Sequence, residues 1–473
     1  MINSPYNFSV HLADEELLYN AFSGALISLR GNDRAQLSKS LTGRPSPISI
    51  ELLPEILLSE LLDGGFVTPS LAQQREVVRE RYWRARRESP LAVTIATTLD
   101  CNLGCYYCYE ERKSDALSPE DVPKLVARIR ETISEGKHRS LHVDWYGGEP
   151  LLNMLFIESA SEALQQLCAE MEVSYSASAI SNGTRWPEDV GSFISRHRIR
   201  QVQISFDGMQ ANHDKRRHYR EKPERLSSRS PFMLAANLVG TLLHHVRVDV
   251  RFNSDKGNAK DMLAFLDFAN ENGWFSKPFP AVFQPARIAA YSDKSAFMQR
   301  HQLSLEAFDA LRAQARKHLP ETVLIEESEV PDGYPYPKTS VCAALAEDSF
   351  VVGADGQEYR CGLQVSERHR AVGALTKSKL GSIPVVALEA SGEASQGSWW
   401  AHYDPTAQTK CSRCSFLPIC LGGCPKKHLE NDTKALAEQC AYWRTNLPRL
   451  IGRAADTDIR AGTCYCDDDQ IRF

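Results

Sequence analysis

The sequence predicts an α/β protein: a partial (β/α)6 barrel, preceded by a small α+β segment and followed by a cysteine-rich one. Three observations carry that prediction. Apolar strand-like runs alternate with amphipathic helical patterns between residues 89 and 330, three cysteines spaced C-x3-C-x2-C close the first run, and seven more fall between Cys342 and Cys440. Alternation of this kind points to parallel strands joined by helical crossovers.

Taken in order, Tyr6 to Leu12 and Leu17 to Leu29 read as short β runs, and Asp33 to Leu41 and Glu51 to Leu62 as helices. Gly64 and Gly65 stop the second helix. Strands then helices within about 90 residues suit a small α+β domain over residues 1–88, ending in the charged linker helix Gln73 to Arg87.

The barrel strands are Leu91 to Leu99, Ser140 to Tyr146, Ser174 to Ile180, Gln201 to Phe206, Arg247 to Phe252 and Pro278 to Gln284. Helical patterns lie between them: Pro119 to Ser134, Phe156 to Met171, Pro187 to His197, Pro231 to His244 and Asn258 to Asn272. Parallel sheets gather their chemistry at the C-terminal edge of the strands, and the motifs sit there.

Cys101, Cys105 and Cys108 form the first of these. Three thiolates on one short loop suffice for three irons of a 4Fe-4S cubane and leave its fourth iron open. Zinc normally wants four ligands, so it suits the triplet poorly. Gly147-Gly148-Glu149-Pro150 ends the second strand, where glycines admit close approach and the edge offers carbonyls and one carboxylate to a cation. Ser181-Asn182-Gly183-Thr184 and Ser205-Phe206-Asp207-Gly208 end the third and fourth strands, with small hydroxyls and a carboxamide suited to a ribose and a carboxylate. Arg251 and Asn253 end the fifth.

Composition bounds the rest. A chain of 473 residues with 42% hydrophobic and 24% charged content is globular, of two or three domains. No run reaches the ~18 apolar residues of a membrane span, and a signal-peptide pattern is missing, so a cytoplasmic protein is expected. Net charge −5 and pI near 6.3 make a nucleic-acid footprint unexpected, with Lys215 to Arg225 read as a solvated charged loop. Thirteen cysteines in the cytoplasm call for metal rather than disulfides.

From about Leu91 onward, the triplet, Tyr107 before its third cysteine, and the GGEP segment resemble the radical S-adenosylmethionine (SAM) enzymes. The resemblance implies a TIM-like partial barrel with a SAM-binding 4Fe-4S cluster on Cys101, Cys105 and Cys108. It implies that Gly147, Gly148 and Glu149 receive the ammonium of SAM. It places the ribose near Ser181 or Ser205, and SAM's carboxylate at Arg217 of His213-Asp214-x-x-Arg217; Asn182 and Asp207 join them from the same strand ends. One electron given to the sulfonium would release methionine and a 5′-deoxyadenosyl radical, which abstracts hydrogen from an unactivated carbon. Cofactors supply that chemistry, while the protein positions them.

Residues 331–450 hold Cys342, Cys361, Cys411, Cys414, Cys420, Cys424 and Cys440. A zinc ribbon on Cys411, Cys414, Cys420 and Cys424 is the alternative, but it leaves three cysteines unemployed. The order, with Gly356-x4-Cys361, resembles the SPASM extension of radical SAM enzymes. That resemblance implies two auxiliary 4Fe-4S clusters, three clusters in all. One takes Cys342, Cys361 and Cys424, and the other takes Cys411, Cys414, Cys420 and Cys440. Full ligation needs eight ligands, and residues 343–360 lack the further cysteine that such sequences often have. Cys168 reads as a buried small hydrophobe. Cys464 and Cys466 fall in the tail 451–473, read as a frayed acidic end, as a supplier of the missing ligand, or as a segment that interacts with the active site.

The N-terminal segment resembles the winged-helix element that docks a leader peptide by β-augmentation, with a structural cap as the alternative. The expected function is a radical SAM/SPASM maturase acting on a ribosomally made precursor peptide or protein. It would form a thioether or carbon-carbon crosslink or an oxidised side chain, fed by a flavodoxin or ferredoxin. A formylglycine-generating sulfatase maturase is an alternative. Gly362, where such enzymes place a carboxylate, and the long N-terminal segment count against it. A non-catalytic Fe-S or zinc module, and RNA modification, are the remaining alternatives.

Overall fold

The computed structural model describes residues 1–11, 16–29, 34–49, 53, 55–221, 229–290, 293–325, 333–375 and 396–460; the tail with Cys464 and Cys466 lies outside them. By packing, the chain divides into two units. One comprises residues 1–89, 331–347 and 402–473, and the other residues 90–330 and 348–401.

In the first unit, β1 (Ile2–Asn3) pairs antiparallel with β5 (Val67–Thr68), while β2 (Asn7–His11), β3 (Glu16–Asn20) and β4 (Leu26–Leu29) form an antiparallel three-stranded sheet. The run Leu17 to Leu29 is therefore two strands. Asn20 Oδ1 accepts the amides of Phe22 and Ser23, and Gly24 adopts φ +82°, which together turn the chain back. Helices Arg34–Leu41, Glu55–Asp63 and Leu71–Arg87 belong to this unit, the last capped by Ser70 Oγ, which accepts from Gln73 N. One core joins both ends of the chain: Tyr6, Tyr19 and Val78 pack with Leu417, Trp443 and Leu450. Cys411 and Cys420 pack against it.

The second unit holds six parallel strands in sequential order: β6 (Leu91–Thr98), β7 (Ser140–Gly147), β8 (Ser174–Ser181), β9 (Ile199–Phe206), β10 (Arg247–Ser254) and β11 (Val282–Arg287). β11 begins at Val282 rather than Pro278 because pairing starts at Asp249↔Val282. β12 (Phe350–Val352) then adds parallel to β6, followed by antiparallel β13 (Gln357–Tyr359) and β14 (Gly373–Ala374), so the sheet has nine strands.

One face of the sheet is apolar. Val93, Val143, Trp145, Ile204 and Val250 meet Ile129, Phe156 and Leu164 of the crossover helices in the main core. The opposite face is polar, which departs from strands apolar on both faces. On it Asp144 accepts from Thr94 and Ser178, and His142 lies 3.2 Å from Asp144 and 2.9 Å from Ser176. Among the described residues no helix is long and apolar enough to cross a membrane.

Candidate active site at the C-terminal edge of the sheet

The loop after β6 carries Cys101, Cys105 and Cys108 as unlinked, partly exposed thiols. Burial raises all three, Cys101 to about 12 with help from the Glu149 charge and Cys108 to about 11, so they are neutral without a metal. Cluster binding must therefore release their protons. Among the described residues no three Cys, His, Asp or Glu side chains close on one ion.

The second strand's exit is built to touch this loop. Gly148 N donates to Thr98 O at 2.9 Å and Glu149 N to Asp100 O at 3.0 Å. A Cβ at Gly147 would collide with Thr98 O, and one at Gly148 with Asp100 O. Both glycines thus serve the approach of the cluster loop. Glu149 is fully buried, and its carboxylate accepts from Ser181 Oγ at 2.9 Å, Asn182 N at 2.7 Å and Leu151 N at 3.3 Å. Burial nevertheless lifts it to about 7, against those hydrogen bonds and the Arg217 charge. Asn182 Nδ2 in turn lies 3.7 Å from Cys101 Sγ and donates to Asn102 Oδ1 at 3.0 Å. Ser205 is buried, in register with Arg251.

Asp207, wholly buried, is a hub. It accepts from Tyr107 Oη at 2.8 Å, Arg216 Nε at 3.3 Å and Asn253 Nδ2 at 3.3 Å, and pairs with Arg217 at 3.5 Å. Arg217 also donates to Tyr107 Oη at 2.7 Å, and its buried Nε has no partner among the described residues. His213 Nδ1 accepts the Asp207 amide at 3.4 Å, and burial holds its pKa well below the usual histidine range. Arg251 reaches Asn253 Oδ1 at 3.1 Å.

Sequence reasoning missed Tyr106, Arg216 and Asp255. Arg216 makes a two-nitrogen bridge to Asp255 at 3.2 and 2.9 Å, Tyr106 Oη donates to the same carboxylate at 3.0 Å, and the guanidinium lies over both tyrosine rings. The signal was present in the adjacent Arg216-Arg217 and in a carboxylate just past β10.

In the first unit, Cys411, Cys414, Cys420 and Cys440 feel one another's charge, and burial raises Cys411 and Cys420 to about 11. Cys342 and Cys424 belong to the same unit and Cys361 to the other. Soft thiols of this kind fit iron-sulfur clusters, and the orphaned Arg217 Nε fits an anion held beside the loop.

Residues 95–226 match the family described as the Radical SAM superfamily. The serine-type anaerobic sulfatase-maturating enzyme of Klebsiella aerogenes is 27% identical over 335 residues, covering 69% of this chain and 77% of that protein. The radical SAM cyclopropyl synthase TigE of Paramaledivibacter caminithermalis is 23% identical over 176 residues, covering 33% of this chain and 36% of that protein. The solved structure of native anSMEcpe with bound AdoMet and Kp18Cys peptide shares the fold, with TM-score 0.55, 18% identity, and coverage of 78% of this chain and 100% of that one. With three free thiols clamped at the edge where six parallel strands end, residues 95–226 form a Radical SAM domain, as in the radical SAM enzymes the chain is similar to.

Proposed function

We propose that this enzyme modifies a ribosomally made peptide or protein, forming a thioether or carbon-carbon crosslink or an oxidised side chain. When bound, a 4Fe-4S cluster on Cys101, Cys105 and Cys108 together with SAM supplies a 5′-deoxyadenosyl radical for hydrogen abstraction. The chain's own residues hold and dry that chemistry. Tyr106 and Tyr107 fasten the loop to Asp207 and Asp255. Arg217, with its free Nε, takes SAM's carboxylate, the Gly147–Glu149 segment its ammonium, and Ser181 or Ser205 its ribose. Asn182 presents an N–H to Cys101 sulfur, a contact of the kind that tunes a cluster's potential. The seven further cysteines, Cys342, Cys361, Cys411, Cys414, Cys420, Cys424 and Cys440, would hold two auxiliary clusters, which would supply electron transfer with a flavodoxin or ferredoxin as donor. The N-terminal segment docks the leader of the substrate.

The observation that carries this reading is the joint presence of the clamped triplet and the polar face of the sheet, where His142, Asp144, Arg251 and Asn253 offer hydrogen bonds to a peptide. Similarity to a sulfatase-maturating enzyme over 69% of the chain favours a second reading, oxidation of a serine or cysteine to formylglycine. Reconstituted protein, reductant and SAM should yield deoxyadenosine; no deoxyadenosine would sink both readings. Mass spectrometry then separates them. A sulfatase-type serine peptide losing two hydrogens supports the second, and modification of a peptide encoded beside the gene supports the first.

A further inference from the structure

Helix Leu71–Arg87 and the turn carrying Cys411 and Cys414 flank an open pocket of about 460 Å³, whose lining includes Tyr6, Arg75, Arg79, Thr406, Arg413 and Leu417. Its charge opposes that of the chain. Against a net −5 overall, three arginines line it with a single carboxylate, Glu76. Glu76 is committed to Arg79, whose Nη1 donates to its two carboxylate oxygens at 3.0 and 3.2 Å. Arg75 and Arg413 have no carboxylate partner among the described residues.

The three arginines are exposed and so can meet an anion from solution. Arg75 and Arg79 are four residues apart on one helix face, where like charges repel. The floor is apolar, from Tyr6 and Leu417, and the uncommitted guanidiniums stand on separate elements. Two separated cations over an apolar floor match two carboxylate side chains flanking an apolar one, rather than one compact phosphate.

We propose that this cavity docks an acidic stretch of the peptide substrate. The proposal rests on the peptide reading given above and deepens it by naming the chemistry of the recognised segment. The guanidiniums bind the carboxylates as charge-assisted forks, and the wall they share with Cys411 and Cys414 couples docking to the cysteine-bearing turn.

The test uses full-length reconstituted protein and a fluorescein-labelled peptide of alternating Glu and Leu, with Gln-Leu and Lys-Leu versions as controls. Anisotropy should show the acidic peptide binding, weakening as salt rises. Arg75→Glu should weaken it by about tenfold or more, since a charge-assisted contact becomes a repulsion. Arg75→Glu should leave peptide-free SAM cleavage and iron content unchanged. The double variant Arg75→Glu with Arg413→Glu should gain affinity for the Lys-Leu peptide. Equal binding of the acidic and Gln peptides, indifference to Arg75→Glu, or full displacement by millimolar inorganic phosphate would overturn the proposal. Failure of binding with SAM cleavage intact removes only this cavity's role. Failure of SAM cleavage removes the maturase reading instead.

Discussion

Gly148 shows how closely the second strand's exit and the cluster loop are fitted. A methyl group there meets Asp100 O, next to Cys101. Gly148→Ala should therefore cost about 1–3 kcal/mol by overpacking and lower the iron bound per chain, read by urea melts and an iron assay. Full iron loading in the variant would show that the loop yields. Glu149 gives a pH signature in the metal-free protein. Its carboxyl is raised from 4.5 to about 7 by burial, so folding favours the protonated acid. That contribution is complete below about pH 4.5 and is lost as pH rises through about 7, amounting to at most about 3 kcal/mol. Glu149→Gln should gain stability relative to the parent between pH 5 and 8; a constant difference would argue for ordinary titration. The Gly-Gly-Glu pattern was legible as a strand exit, and its glycines let Thr98 O and Asp100 O come close. Sequence spacing reveals that backbone comes close, and only the fold reveals which backbone.

At the scale of elements, the buried Arg216–Asp255 pair ties the end of β10 to the loop after β6 through Tyr106. Burial opposes ionisation of Asp255, but the Arg216 hydrogen bond and charge outweigh it and hold its pKa below the usual range. Asp255→Asn leaves a buried guanidinium short of a countercharge, and a loss of about 3–5 kcal/mol is expected in thermal or urea unfolding. The pair's contribution is present above the unfolded aspartate pKa and disappears as pH falls through the lowered one, so parent and variant should converge in acid. The six parallel strands were readable because their sheet-core sides, such as Leu141, Val143 and Trp145, are apolar and β-rich. Short strands such as β12 and β14 have no pattern long enough to register, and their pairing is a tertiary fact. Asp255 shows only as a carboxylate just past β10 in the sequence; it belongs to no motif and acquires meaning only when the loop after β6 brings Tyr106 to it.

At the scale of the molecule, the first unit is sewn from both ends of the chain, with Phe8 and Phe416 rings 4.7 Å apart and Trp443 in the same core as Tyr6. If Cys411, Cys414 and Cys420 hold iron as proposed, deleting residues 1–88 should therefore strip it, along with any leader affinity. Iron per chain and electron paramagnetic resonance of the shortened protein would check this, and unaltered auxiliary signals would refute it. The return of the C-terminal helix Thr433–Arg460 to the N-terminal sheet was not legible in the sequence, since no local pattern names a distant partner. Because β12 pairs along the free flank of β6, the strand that launches the cluster loop is an interior strand. A chain ending before Asp348 would expose that flank as a ready template for self-association. The cysteine-bearing extension is thus no detachable accessory, and a simpler forebear lacking it would have needed some other guard along that side.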